Sequence, residues 1–444
     1  MIKADELEIL KLGPCRIPSP LRNLSSHLGS HIDFVPDASR VFFYSSCETN
    51  ERYRSAGEKL PSAEVVGPRE MIYFDPKKTK AAIVTCGGLC PGINAVIRGI
   101  VMELHYRYGV EHIEGIKYGY QGMIPEYGHP VARLEPDGVK DIHTLGGTIL
   151  GTSRGQQDTG RMVDFLLQRG IQTLFVIGGD GTLRAALAIS REARKRNTGI
   201  SVIGIPKTID NDILYIDQSF GFESAFSEAV KAIASANTEA IGSPDCIGMV
   251  KLMGRDSGFI ACAAALAMTD VNYVLIPEIP FALEGAGGFL AHLEERMARR
   301  RHAVIVASEG AGQEYFKGEK VEKDASGNVR FHDITVLLKD RISSHFQSKS
   351  RPVTIKVIDP SYMIRSIPAS PLDSAYCLRL AQSAVHAAMS GRTEMVVGLR
   401  HDKLVHLPMP LVGQGRKRVD PKGPLWFSVL EATGQPNSFG PIGA

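Results

Sequence analysis

From Lys80 onward the chain repeats one pattern: a short apolar run rich in Val and Ile, then Gly or Pro, then a stretch with helical spacing. The clearest runs are Ala81–Thr85, Thr173–Ile177, Ser201–Ile205, Ile247–Leu252, Tyr273–Ile276, Ala303–Ala307 and Met395–Leu399. A strand with one wet face would alternate apolar and polar residues. Continuous apolar strands between helices instead belong to parallel sheets covered on both faces. Helical spacing with charges on one face fills Asn94–Tyr106, Leu183–Lys195, Ser224–Asn237 and Ser374–Ser390. The strands exceed one comfortable sheet, so two α/β layers with a cleft between them are expected. Ligands of such folds bind beyond the carboxyl ends of strands.

Composition narrows the class. The 444 residues suggest two or three domains, and 43% hydrophobic with 22% charged residues is ordinary for a soluble globular chain. A net charge of +3 gives no reason to expect nucleic acid as a partner, and Gly413–Arg418 (GQGRKR), the densest basic run, reads as a solvated loop. Seven cysteines without paired spacing read as reduced thiols of a cytoplasmic protein. Cys86 and Cys90 lie four apart, but no second pair or His cluster completes a zinc site. The longest apolar run, Phe259 to Met268, is too short to span a bilayer, so no membrane is expected. Residues 1–75, with Pro14, Pro18, Pro20 and Ser-rich turns, lack the strand–helix texture and read as an N-terminal arm or cap.

Two strands end in glycine-rich turns that open helices: Thr85-Cys86-Gly87-Gly88 through Asn94, and Gly178-Gly179-Asp180-Gly181-Thr182. Glycine lets backbone approach phosphate oxygens, and a helix N-terminus offers free N–H groups and the positive end of its dipole. Asp180 beside a phosphate would be repulsive unless a cation lay between, so it reads as a Mg²⁺ ligand, or else as an N-terminal Asp favoured by the dipole. No GxxxxGK[ST] phosphate loop occurs.

The densest chemistry is Gly204-Ile205-Pro206-Lys207-Thr208-Ile209-Asp210-Asn211-Asp212. If the backbone is extended, alternation puts Asp210 and Asp212 on one side. One carboxylate can then take the proton of an attacking hydroxyl while its neighbour organises metal or lysine. Taken alone, the segment reads equally as an Asx-rich turn. Arg154, Arg255 and Arg365 each stand in a strand-end loop, a set suited to a polyanionic ligand because guanidinium grips phosphate bidentately. Glu309, after the strand at 303–307, offers a carboxylate to sugar hydroxyls.

These segments, in order, resemble the phosphofructokinase A family: GGxCPGxN, GYxG (Gly119 to Gly122), LGTSRG, GGDGT, PKTIDND, FGFxSA (Phe220 to Ala225), MGRDSG, SEG and YMIR. The match runs over about residues 75–400, and the ordered set is highly specific. The resemblance implies two Rossmann-like α/β domains with mainly parallel sheets. It implies an ATP-binding domain at 76–222 with about 359–391, and a sugar-phosphate domain at 223–358 with about 392–444. It implies a glycolytic enzyme that phosphorylates fructose 6-phosphate at its 1-hydroxyl with Mg²⁺, acting as a homo-oligomer of two or four copies.

Carried over by motif, Asp210 is the general base, with Asp212 and Arg154 beside the chemistry. Gly88, Arg154, Gly155, Gly179, Asp180, Gly181 and Thr182 line the donor, with Asp180 on the metal. Thr208, Ile209, Asp210, Met253, Gly254, Arg255, Glu309, Tyr362, Met363, Ile364 and Arg365 hold the sugar phosphate. In this family, Gly after the GGD aspartate and Gly before TIDND mark ATP users, and Asp and Lys there mark pyrophosphate users. This chain mixes them, with Gly181 and Lys207, as does an atypical ATP-using clade of plants, trypanosomatids and some bacteria. An Asp at 181 would crowd the α-phosphate, so ATP is the expected donor and pyrophosphate the alternative. Short bacterial members carry Arg where this chain has Cys246 and His where it has Tyr362, so sugar-phosphate contacts are expected to differ. GGDGT also occurs in NAD and lipid kinases, but PKTIDND, MGRDSG and YMIR together argue against those. A non-catalytic sensor would not need both carboxylates.

Overall fold

The computed structural model describes residues 2–22, 33–319 and 331–440. The chain divides into two compact units. The first comprises residues 1–208, 213–221 and 366–415, and the second residues 209–212, 222–365 and 416–444.

The first unit is built on a nine-stranded sheet. In order across it run Arg40–Phe42, Ser62–Val65, Lys403–Pro408, Met395–Arg400, Ser201–Pro206, Thr173–Gly178, Lys80–Thr85, His112–Ile116 and Val131–Arg133. The middle pairings are parallel and the outer ones antiparallel. Thr173–Gly178 and Ser201–Pro206 are buried at every position, which is why they read as unbroken apolar runs. The helices Ile93–Met102, Asp180–Lys195 and Pro371–Met389 also lie in this unit.

The second unit holds a wholly parallel four-stranded sheet, ordered Tyr273–Leu275, His302–Ser308, Cys246–Leu252 and Thr354–Ile358. Its helices include Phe222–Gly242, Phe289–Arg300 and Ile334–Ser348. Phe281, Phe289 and Phe439 pack edge-on and tilted against one another and Tyr273 in its core. Each unit is thus an α/β layer structure with a mainly parallel sheet, the fold expected from the sequence.

The division differs from the expected domain bounds, and residues 209–212, expected with the first domain, go with the second unit. The strands Met395–Arg400 and Lys403–Pro408, expected with the second domain, join the first unit's sheet through Ser201–Pro206. Residues 359–365 go with the second unit. The N-terminal arm is not separate from the first unit. Its strands Arg40–Phe42 and Ser62–Val65 extend the same sheet, and Leu10–Lys11 pairs with Arg392–Thr393. Strands of two to four residues are too short to show a period, so sequence pattern misses them.

A buried charge cluster fastens this arm. The Glu64 carboxylate accepts from Arg392 Nε at 2.5 Å, Arg69 Nη2 at 2.9 Å and His406 Nδ1 at 3.2 Å. Burial opposes its charge. The His406 hydrogen bond, with Arg392 and Arg69, nevertheless holds the carboxyl far below the usual range. Burial, then Arg392 and Arg69, push His406 down to about 4 against the pull of Glu64, so at neutral pH the imidazole is an uncharged donor.

Candidate active site

In the first unit, strands Lys80–Thr85 and Thr173–Gly178 are parallel neighbours with Thr85 opposite Ile177, so both glycine turns leave the sheet side by side. Gly87 takes a left-handed φ of 85°, which a side chain would resist. Its N–H donates to the Ser153 carbonyl at 3.2 Å, and its carbonyl accepts from Thr152 Oγ1 at 2.7 Å. The loop carrying Arg154 is thereby laced to the first glycine turn. Lys207, buried, donates from Nζ to the Gly88 carbonyl at 2.7 Å. A methyl group added to Gly88 would lie 3.7 Å from Arg154 Nη2, and one added to Gly87 would lie 3.7 Å from Lys207 Nζ and 3.9 Å from Thr182 Oγ1. A lysine, an arginine and a threonine thus surround one glycine turn. Such a set has the chemistry to accept phosphate.

The second turn starts the helix Asp180–Lys195, with Gly179 as its N-cap. Asp180 occupies the first helical position, where the dipole favours its charge, and its carboxylate pairs with Arg184 one turn on. Sequence reasoning passed over Arg184, although spacing of four on a helix was the signal available. Tyr120 of the GYxG motif donates to the Thr182 carbonyl at 2.8 Å and so anchors the turn from behind. Gly155 is exposed, with φ of 99°.

The carboxylates gather in the second unit. Ser257 Oγ donates to the Asp210 carbonyl at 3.0 Å. Burial, followed by the nearby charges of Asp212 and Glu309, pushes the Asp210 carboxyl up to about 7, offset by Arg365 and Arg416. Burial also raises Glu309, against Arg365, Arg255 and Lys251. Glu309 donates its N–H to the Leu252 carbonyl at 2.9 Å, and Gly310 to that of Gly254 at 3.2 Å, which locks the SEG turn to the start of MGRDSG. Arg255 stacks its guanidinium 4.4 Å over the Phe331 ring. Asp210, Asp212, Glu309, Arg255 and Arg365 are therefore brought into one neighbourhood, with buried Met253 behind them.

Three expectations change. The backbone between Asp210 and Asp212 is not extended: Asn211 sits left-handed at φ 53°, so simple alternation does not relate the two carboxylates. Of the YMIR segment, Ile364 is buried and Arg365 reaches the carboxylates, but Tyr362 and Met363 are 85% and 61% exposed. The segment is helical, Ser361–Ser366, and a helix that turns Ile364 inward turns its neighbours elsewhere. The basic run at 413–418 is not simply a solvated loop, since Arg416 pairs with Asp212 and Asp256. Thr208 and Ile209 lead into the loop, the carbonyl of Thr208 accepting from Ser219 Oγ at 2.6 Å.

Glycine turns set among cationic side chains, and a buried carboxylate set near arginines, suit a phosphoryl-transfer enzyme of the α/β class. The phosphofructokinase family model matches residues 80–388, and the chain belongs to that family. It is 48% identical over 446 residues to an ATP-dependent 6-phosphofructokinase of Amycolatopsis methanolica, covering 99% of this chain and 97% of the relative. It is 47% identical over 442 residues to one of Borreliella burgdorferi, covering 98% of each chain. It is 46% identical to ATP-dependent 6-phosphofructokinase 7 of Arabidopsis thaliana, over 84% of this chain and 77% of that one. Among solved structures, the pyrophosphate-dependent phosphofructokinase of Nitrosospira multiformis aligns with TM-score 0.67 and 19% identity, covering 82% of this chain and 94% of that chain. Pichia pastoris phosphofructokinase aligns with TM-score 0.63 and 22% identity, over 77% of this chain but 36% of that longer one. At such identities these structures speak for the fold alone.

Proposed function

We propose that the protein transfers the terminal phosphoryl group of ATP to the 1-hydroxyl of fructose 6-phosphate, giving fructose 1,6-bisphosphate and ADP in glycolysis. The observation that carries this reading is Asp210: a buried carboxyl poised at about 7 and flanked by Arg365 and Glu309. Asp210 takes the hydroxyl proton as the oxygen bonds to phosphorus and the bond to the ADP oxygen breaks. Arg255 and Arg365 grip the sugar phosphate, and Glu309 accepts from sugar hydroxyls. Thr208, Ile209, Met253, Gly254 and Ile364 shape the rest of that subsite. On the donor side Gly88, Gly155, Gly179 and Thr182 lie along the phosphates, while Arg154 and Lys207 meet the charge that develops as the phosphoryl group moves.

Among the described residues no group of three or more His, Cys, Asp or Glu is arranged to hold a metal. A single carboxylate at a helix N-terminus fits Mg²⁺, which takes one or two protein carboxylates and completes its shell with phosphate oxygens and water. Asp180 would hold it, and the ion supplies neutralisation of the donor's phosphate charge.

Gly181 supports ATP over pyrophosphate. Its φ is not in the left-handed region, and a methyl group there would meet only Arg184 Nη2 at 3.9 Å. Neither backbone nor packing demands glycine, which leaves room for the nucleotide's α-phosphate as the reason. Pyrophosphate is the second reading, favoured by Lys207. The enzyme works in the cytoplasm as a dimer or tetramer. Its seven cysteines, none in a disulfide, accord with a reducing compartment. No described helix is long and apolar enough to cross a membrane.

The test is purified protein with fructose 6-phosphate and Mg²⁺, given ATP or pyrophosphate. Rapid turnover with ATP is expected. Turnover with pyrophosphate alone would reverse the donor assignment, and turnover with neither would remove the function.

A further inference from the structure

The basic run Gly413–Arg418 has no part in the proposed phosphoryl transfer, yet its second half is docked in the second unit. Arg416 Nη1 lies 3.4 Å from Asp212 Oδ2 and pairs as well with Asp256 Oδ2. The next residue, Lys417, donates its N–H to the Asp212 carbonyl at 2.8 Å. Its ammonium lies 4.9 Å over the Phe259 ring. Val419 N–H then donates to Glu278 Oε1 at 2.8 Å, the same oxygen that accepts from Gly258 N–H at 3.0 Å. Residues 416–419 therefore strap together the base loop 209–212 and the MGRDSG loop, with Glu278 as the far buckle.

The base loop needs such a strap. Asn211 is held in the left-handed region, a conformation that persists only where the surroundings over-determine it. Its preceding neighbour is fixed by Ser257 Oγ on the Asp210 carbonyl. Its following neighbour, Asp212, is fixed twice from the strap: on its side chain by Arg416 and on its carbonyl by Lys417 N–H. Both contacts run from one nitrogen, Nη1, so a single permanent positive charge bridges the two carboxylates. The guanidinium thus sets that charge beside a loop otherwise crowded with Asp210, Asp212 and Asp256.

We propose that Arg416 is a positioning residue for phosphoryl transfer: by clamping Asp212 to Asp256 it holds the Asp210 carboxylate in line with the acceptor hydroxyl, touching neither substrate itself. This rests on Asp210 being the base. Steady-state kinetics of the full chain with ATP, Mg²⁺ and fructose 6-phosphate test it, using Arg416→Ala, Arg416→Lys, Asp256→Asn and the Ala/Asn double variant. Loss of the clamp loosens the base without removing a substrate contact. Arg416→Ala should therefore lower kcat roughly 10- to 100-fold, with KM for fructose 6-phosphate moving less than about threefold. Arg416→Lys should recover part of that loss. The double variant should lose little beyond Arg416→Ala, because both changes break one clamp.

A wild-type kcat in Arg416→Ala overturns the proposal. So does a loss confined to KM, which would make Arg416 a sugar-phosphate ligand, and so do losses that simply add. If Arg416→Ala does not fold, Arg416→Met, which keeps the apolar stem, is read in its place by the same criteria. Wild-type turnover in the same assay separates the two failures. An inactive wild type removes the proposed function. An active wild type with unimpaired Arg416 variants removes only the clamp.

Discussion

At the scale of single residues, Asp210 makes the sharpest commitments. A base must be ionised to accept a proton, so with the free carboxyl at about 7 the rate constant kcat/KM should climb from acid pH and level off above about 7. Asp210→Asn should lower kcat by roughly 10²- to 10⁴-fold and abolish that acid limb. An unchanged limb in the Asn variant would assign it to another group. The same raised value has a thermodynamic sign. A carboxyl that binds its proton more tightly folded than unfolded costs stability above its folded pKa, and the cost fades as pH falls toward the ordinary carboxylate value. Asp210→Asn should thus melt higher than wild type at pH 8, by about 2–4 °C, with the gap closing toward pH 4. The sequence singles out Asp210 as a candidate base but does not show what its surroundings do to the carboxyl. Burial and the charges of Asp212 and Glu309 raise it while those of Arg365 and Arg416 hold it back, and three of these four residues come from distant segments. Alternation was the wrong local argument because a single left-handed Asn211 cancels it.

At the scale of elements, the central parallel strands were legible because they are buried along nearly their whole length and read as unbroken apolar runs, whereas the parallel strands His112–Ile116 and Thr354–Ile358, which are only partly buried, were not. The turns at the strand ends were legible too. The glycine turns after Thr85 and Ile177 stand where the sequence put them, although the second helix opens at Asp180, three residues before the expected Leu183. Strands of two to four residues in the first 75 positions were not, since no period can be counted in them. The Arg416 clamp was hidden for a different reason. A basic run next to glycines looks the same whether it is solvated or paired, and only the fold brings Asp212 and Asp256 to it. The donor helix yields a paired prediction. Gly181→Ala fits the helix without crowding and replaces a poor helix former, so thermal unfolding should show a gain of up to about 1 kcal/mol. Gly181→Asp should fold as well but raise KM for ATP and lower kcat, because its carboxylate meets the α-phosphate. Unchanged ATP kinetics in Gly181→Asp would count against the steric account of donor choice.

At the scale of the whole molecule, segments 40–65 and 395–408 are stitched into one sheet, which sequence could not show because the partners are more than three hundred residues apart. Arg392 reaches Glu64 across 328 positions and His406 reaches it across 342. Lys403–Pro408 would be an open edge without Ser62–Val65 beside it, and an uncovered apolar strand invites aggregation. The arm is therefore part of the first unit's core. The cluster around Glu64 is the place to test it, because a fully buried Arg392 that loses Glu64 keeps only the more exposed Asp37 as its carboxylate partner. Glu64→Ala should destabilise the protein by about 3–5 kcal/mol at neutral pH, seen as a large fall in Tm. Replacing both members, as in Glu64→Leu with Arg392→Met, should recover part of that loss, since two desolvated charges go together while buried Arg69 keeps Asp37. The pH dependence has a definite direction. Glu64's carboxyl is depressed in the fold, so its contribution is complete above the ordinary carboxylate range. His406, lowered to about 4, adds stability above its unfolded value that is lost as pH falls through the folded one. Both losses act in the same acid direction, so wild-type Tm should drop between about pH 6.5 and 4 more steeply than that of His406→Gln, which has no proton to take up. Parallel slopes for the two proteins would mean that the imidazole contributes nothing to fastening the arm.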